Sequence, residues 1–105
     1  MPIVPRAHVD QRRIDALVEE AVRELSPDVV RIRHNFGEDW SGDPAIFFRV
    51  VLADEAAAPS RLFETTTKVI EAIRSRVDAD DLGVLDYFNF RSESEQAKLK
   101  DRLWD

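Results

Sequence analysis

The sequence contains no cysteine and only three glycines among its 105 residues. The absence of cysteine excludes a disulfide framework and any thiolate nucleophile or metal ligand. No apolar run is long enough to predict a membrane span, and the opening residues MPIVPRAHVD lack the apolar stretch of a secretory signal. A phosphate-binding glycine loop and a Gly-x-Ser-x-Gly motif are also missing. We therefore expect a cytoplasmic, non-enzymatic protein that uses no cofactor and contacts no membrane.

The composition that remains is typical of one globular domain. The chain is 44% hydrophobic and 34% charged, and its length matches a single hydrophobic core. Its formal charge of -6 disfavours general binding to nucleic acid, because phosphates are bound through surplus Lys and Arg. A local basic patch is still compatible with this charge. We expect one domain over residues 1–105.

Two segments have the apolar spacing of long helices. The first begins after Asp10, a predicted N-cap, and ends at Ser26-Pro27, because proline disfavours helical geometry in the residue before it. Residues 1–9, with two prolines, predict an irregular lead-in. The second helix begins at Ser60, and its predicted apolar stripe comprises Leu62, Phe63, Thr66, Val69, Ile70, Ile73 and Val77.

Three segments, 28–36, 45–53 and 84–90, have the β-branched and aromatic content of strands. The turn sequence GEDWSGDP between the first two predicts an antiparallel hairpin. A right-handed crossover through the second helix makes the third strand parallel to the second, and we expect it to pair beside the first. The prediction is an α+β two-layer sandwich of order α-β-β-α-β-α, with a three-stranded mixed sheet and the helices on one face. This order is similar to K-homology-like and ribosome-binding-factor-like cores at the level of topology alone.

Strand alternation divides the side chains of this sheet between two faces. The predicted helix-facing set is Val30, Ile32, Phe36, Ile46, Phe48, Val50, Leu52, Phe88 and Phe90. The opposite set is Arg31, Arg33, Phe47, Arg49, Val51, Tyr87, Asn89 and Arg91. Arginines beside aromatic rings can bind a protein partner, can stack and hold single-stranded RNA, or can simply solvate the sheet.

Carboxylates and histidines provide weaker indications of chemistry. Glu38, Asp39 and Asp43 surround Trp40, yet they lack the alternating order of a calcium-binding loop, so we expect no metal. Trp40 is interpreted either as a lid over the edge of the core or as an exposed anchor. His34 falls on the apolar side of its strand and is predicted to be partly buried and hydrogen-bonded.

The segment SESE predicts a capping box at the start of a C-terminal helix over residues 92–105. Such a short helix is unstable alone, so it must pack on its own domain or on a partner. Leu103 and Trp104 would otherwise form an exposed apolar patch.

Two stretches, GEDWSGDPAIFFRVVLADE (37–55) and YFNFRSESEQAKLKDRLW (87–104), resemble small bacterial proteins of unknown function. Those proteins occur in two-gene cassettes with a HEPN (higher eukaryote and prokaryote nucleotide-binding) protein. The resemblance covers roughly the last two-thirds of the chain. HEPN proteins are often ribonuclease toxins neutralised by a neighbour, so the resemblance implies an antitoxin-like role. It implies no catalytic residues.

The leading hypothesis is a non-enzymatic protein-interaction module that binds a HEPN-type protein or a second copy of itself. The alternative is a small RNA-binding module of K-homology-like topology that uses the same sheet face. The predicted binding residues are Arg31, Arg33, Phe47, Arg49, Tyr87, Asn89, Arg91, Leu103 and Trp104.

Overall fold

A computed structural model describes residues 11–105, and the predicted lead-in and the Asp10 N-cap lie outside this range. The elements follow one another along the chain as α1 (Gln11–Leu25), β1 (Val29–Glu38), β2 (Pro44–Leu52), α2 (Leu62–Arg74), α3 (Ala79–Leu82), β3 (Leu85–Ser92) and α4 (Glu93–Leu99), with a final 3-10 helix (Arg102–Trp104). The predicted α+β class is confirmed. Within the described range, no helix combines the length and apolarity needed to cross a membrane.

The sheet is mixed and three-stranded, in the order β1-β2-β3. β1 pairs antiparallel with β2, and β2 pairs parallel with β3, as predicted. The expected position of β3 beside β1 is wrong, because β3 pairs with β2. The physical reason lies in β2, whose side chains are buried from Ala45 to Leu52 except for two half-buried positions. Such a strand is most stable between two neighbours, which leaves the alternating strands β1 and β3 at the edges.

Both long helices cover one face of the sheet, as predicted, and the main core lies between these layers. Its largest fully buried side chains include Phe48 and Ile46 from β2 and Ile73 from α2. The helix-facing prediction fails at the start of β1, where Val29 belongs to the core and Val30 is only half-buried. An irregular register between Val29 and Arg31 shifts the alternation by one residue there.

The C-terminal segment covers part of the opposite face of the sheet. The capping box is confirmed, since Ser92 Oγ accepts from Glu95 N and Glu95 Oε1 accepts from Ser92 N. The predicted single helix is interrupted, because Lys100 adopts a left-handed conformation (φ 51°) and the 3-10 helix follows. Val51, whose neighbours Val50 and Leu52 face the main core, is itself fully buried under this segment. We call residues 93–105 the tail.

Candidate interaction site

Three of the predicted sheet-face arginines hold the tail. Arg31 Nε donates to the main-chain oxygen of Trp104 at 2.7 Å, and Arg33 Nε donates to the main-chain oxygen of Asp105 at 2.5 Å. The Arg91 guanidinium lies 4.2 Å from the centre of the Trp104 ring, a cation–π contact. Trp104 is therefore only 6% exposed. Of the two tail arrangements considered above, docking on its own sheet is the one observed.

A buried glutamine completes this attachment. Gln96 Nε2 donates to the main-chain oxygen of Asp101 at 2.7 Å and to Asp105 Oδ1 at 3.1 Å. Its Oε1 accepts from Arg91 Nη1 at 3.0 Å. Because every polar atom of this amide has a partner, its burial carries little desolvation cost. The tail is thus fixed by directed hydrogen bonds as well as by the apolar contact of Trp104.

The rest of the predicted binding face remains accessible at the far end of the sheet. Phe47 and Tyr87 are paired across β2 and β3, and their rings stack at 5.4 Å with an angle of 19°. Arg49 and Asn89 form the next pair along, and Arg49 donates a hydrogen bond to Asn35. The structure therefore brings four predicted residues together, whereas Arg31, Arg33 and Arg91 are engaged with the tail.

The turn between β1 and β2 is braced by one carboxylate. Asp39 Oδ1 accepts from the backbone N–H groups of Ser41 at 2.9 Å and Asp43 at 3.0 Å. Its Oδ2 accepts from the Tyr87 hydroxyl at 2.7 Å. Gly42 supplies the left-handed conformation (φ 83°) that closes the turn. Asp39 therefore fixes the turn internally and ties it to β3.

These contacts also shift two acid–base equilibria. The Tyr87 hydroxyl lowers the pKa of the Asp39 carboxyl, because its hydrogen bond favours the ionised form, and the backbone donors add to the effect. Conversely, the hydrogen bond to Asp39 raises the pKa of the Tyr87 phenol above its ordinary value of 10.0, with burial as the next cause.

In residues 11–105, no group of three or more His, Asp or Glu side chains is placed to hold a metal ion, so Glu38, Asp39 and Asp43 do not form a metal site.

Trp40 stands at the tip of this braced turn and is 93% exposed. Of its two interpretations, the exposed anchor matches the structure and the lid does not. Leu103 is the one predicted tail residue that remains largely exposed, at 62%. The accessible part of the candidate site thus comprises Trp40, Leu103, the Phe47–Tyr87 pair, Arg49 and Asn89.

Two features differ from what the apolar patterns indicated. Phe63 belongs to the predicted apolar stripe of the second helix, yet it is 85% exposed beside a groove between α2 and β3. Leu62, the residue before it, is also exposed, at 41%, and the buried positions of this helix are Thr65, Val69 and Ile73. Alternation within single strands also gave no indication of the groove, which depends on how α2 is placed over β3.

His34 is partly buried, as predicted, and its ring lies beside those of Phe36 and Phe48. Its Nε2 lies 3.2 Å from Asp15 Oδ1, but it makes no hydrogen bond of acceptable geometry within the described residues. The expected hydrogen bond at this nitrogen is therefore not observed. Burial lowers the pKa of His34, and the Asp15 charge opposes that shift in part. His34 faces the helix layer and is not part of the candidate site.

Comparisons of the chain with protein-family models, with curated proteins and with solved structures found no match. The resemblance to HEPN-associated proteins therefore stays a prediction.

Proposed function

We propose that this chain is a non-enzymatic protein-interaction module whose main anchor is Trp40. The observation that carries the proposal is a large aromatic side chain held almost fully in solvent on a turn with little freedom. Tryptophan is among the residues that contribute most to protein–protein binding energy. A side chain presented on a rigid turn also loses less conformational entropy when it binds.

The surroundings of Trp40 support a protein partner. The stacked pair Phe47 and Tyr87 lies at the strand ends beneath the turn, and Arg49 is adjacent to it. Such a mixture of aromatic rings and an arginine is typical of protein interfaces. The tail adds Leu103 at the other end of the same face.

Protein binding is favoured over RNA binding by the state of the arginines. A single-strand platform needs cations free to follow the phosphate backbone. Arg31, Arg33 and Arg91 instead contact the tail, and the chain carries a net charge of -6. The positive charge left near the open aromatic pair is that of Arg49.

The partner we propose is the HEPN-type protein of a two-gene cassette, and this choice rests on the resemblance of residues 37–55 and 87–104. Those two stretches contain the Trp40 turn and most of the tail, and both segments contact residues of the same sheet face. An acidic chain is suited to cover a basic RNA-binding surface on such a partner.

The test is to measure binding of the purified chain to the HEPN-type protein encoded beside it. Trp40→Ala is expected to weaken the complex by about thirtyfold or more, as for a central anchor residue. Phe63→Ala, an equally exposed aromatic position on α2, is the matched control and is expected to leave affinity unchanged. Absence of any complex with the unmodified chain would overturn the choice of partner. A complex indifferent to Trp40→Ala would overturn the site.

A further inference from the structure

β3 carries no lysine, proline or bulge, and its two charged residues, Asp86 and Arg91, are both paired within the chain. Proteins guard such edges with lysine, proline or a bulge. β1, the opposite edge strand, has an irregular register and carries Arg31 and Arg33. β3 runs for eight residues in regular register with β2 and pairs on that side only within the described residues. Its outer main-chain groups are therefore available to another strand.

An apolar groove of about 590 Å³ runs along this edge on the helix side. Phe88 and Phe90 of β3 form its floor, and Leu62, Phe63 and Thr66 of α2 form its rim. The two floor phenylalanines are half-buried although they face the core layer. Phe63, 85% exposed, lies at the rim with nothing to cover it among the described residues.

We propose that a second copy of this chain occupies this edge, with the two β3 strands paired antiparallel about a two-fold axis at Asn89. A two-fold axis perpendicular to a sheet pairs residues that point to the same face. With Asn89 on the axis, Phe88 of each copy lies opposite Phe90 of the other on the groove side. On the other face, Tyr87 lies opposite Arg91. Aromatic pairs are favourable cross-strand combinations, and the Phe88–Phe90 pair supplies one on each side of the axis.

The charges at the two ends of β3 are complementary in this arrangement. At one end Arg74 pairs with Asp86, with Nε to Oδ2 at 3.0 Å. At the other end Ser92 is hydrogen-bonded to Glu95. The register places Asp86 of one copy opposite Ser92 of the other, which brings the Arg74 cation towards the Glu95 carboxylate at both ends. A single strand of another protein would receive this charge match only by chance, whereas a second copy supplies it twice.

The register can be tested by disulfide trapping, because the chain contains no cysteine of its own. Asn89→Cys places one thiol on the axis, within the distance that a disulfide requires. Mild oxidation is expected to convert most of this variant to a covalent dimer. Leu85→Cys, exposed on the same strand but away from the axis, and Ala16→Cys on α1 are the controls and are expected to stay largely uncrosslinked. Equal trapping of all three variants would overturn the register.

The association itself is tested by light scattering of the pure chain over a range of concentrations. The expected mass approaches twice the 12.1 kDa of one chain. Asn89→Lys sets two like charges opposite each other on the axis and is expected to weaken association by about tenfold or more. Ala16→Lys adds the same charge on α1 and is expected to have no effect. A mass of one chain at every concentration, together with no trapping of Asn89→Cys, would overturn the proposal. It would leave the Trp40 site untouched, because neither experiment contains the HEPN-type protein.

Discussion

The hydrogen bond between Tyr87 and Asp39 connects a strand to a distant turn, and its acid–base consequence can be measured directly. Tyr87 is the single tyrosine of the sequence, so absorbance of the ionised phenol reports that residue alone. We expect its titration midpoint to lie above pH 10.0, because the neutral phenol donates to the Asp39 carboxylate.

Asp39→Ala removes that acceptor and is expected to lower the midpoint of the Tyr87 titration. Glu38→Ala removes a neighbouring exposed carboxylate and serves as the control, since Glu38 has no part in the hydrogen bond. An unchanged midpoint in Asp39→Ala would show that the hydrogen bond does not govern the phenol.

His34 is expected to make the free energy of unfolding depend on pH. Its pKa is lowered by burial in the folded state, so the unfolded chain binds more protons as the pH falls through 6.5. The free energy of unfolding that His34 contributes is therefore fully present above that region and decreases as the solution becomes acidic. Urea unfolding at about pH 7.5 and about pH 5.5 measures the change.

The matched variant is His34→Phe, which keeps a ring beside Phe36 and Phe48 but cannot be protonated. We expect a smaller loss of stability between the two pH values in this variant than in the original chain. Parallel losses in both would mean that the burial of His34 is not coupled to its protonation.

Among the elements, the tail makes the clearest energetic prediction. Trp104→Ala uncovers Val51 and removes the ring on which Arg91 rests. We expect the free energy of unfolding to fall by about 3 kcal/mol, the low end for truncating a buried aromatic residue. Limited proteolysis at Lys98 and Lys100 should become faster at the same time. Leu103→Ala is the control, because this neighbouring side chain is largely exposed and its removal should lower the free energy of unfolding only slightly. An equal loss in both variants would show that burial of Trp104 does not stabilise the tail.

The elements also show which parts of the fold the sequence could reveal. Helix stripes and strand alternation depend on nearest neighbours along the chain, and they predicted α1, α2 and three strands with ends close to those observed. Val29 rather than Val30 faces the core because the register of β1 is irregular between Val29 and Arg31, and a strict two-residue alternation does not predict such an irregularity. The place of β3 depends on competition between whole strands for the central position.

The candidate site was predictable to a similar degree. Alternation correctly grouped Phe47 with Tyr87 and Arg49 with Asn89 on one face. It could not show that three of the arginines on this face contact the tail. The contacts of Arg31 and Arg33 join residues more than seventy positions apart, and strand alternation contains no information about such distant pairs. The exposure of Trp40 likewise depends on hydrogen bonds that form only when the turn meets β3.

At the scale of the whole molecule, the two proposals together predict a composition for the complex. If β3 joins two copies and Trp40 anchors the HEPN-type protein, the complex contains two copies of each chain. Light scattering of the mixture is expected to give that mass. A complex of one copy of each chain before any substitution would contradict the self-association and leave the anchor in place.

The two tryptophans of the sequence lie in opposite surroundings, with Trp104 6% exposed where the tail packs on the sheet and Trp40 93% exposed on the turn. Their fluorescence therefore separates by environment, since an indole in water emits at longer wavelength than one enclosed by protein. Emission from Trp104 follows release of the tail during unfolding, and emission from Trp40 follows docking of a partner on the turn. The chain thus carries one optical reporter for its own integrity and another for its binding, with no label added.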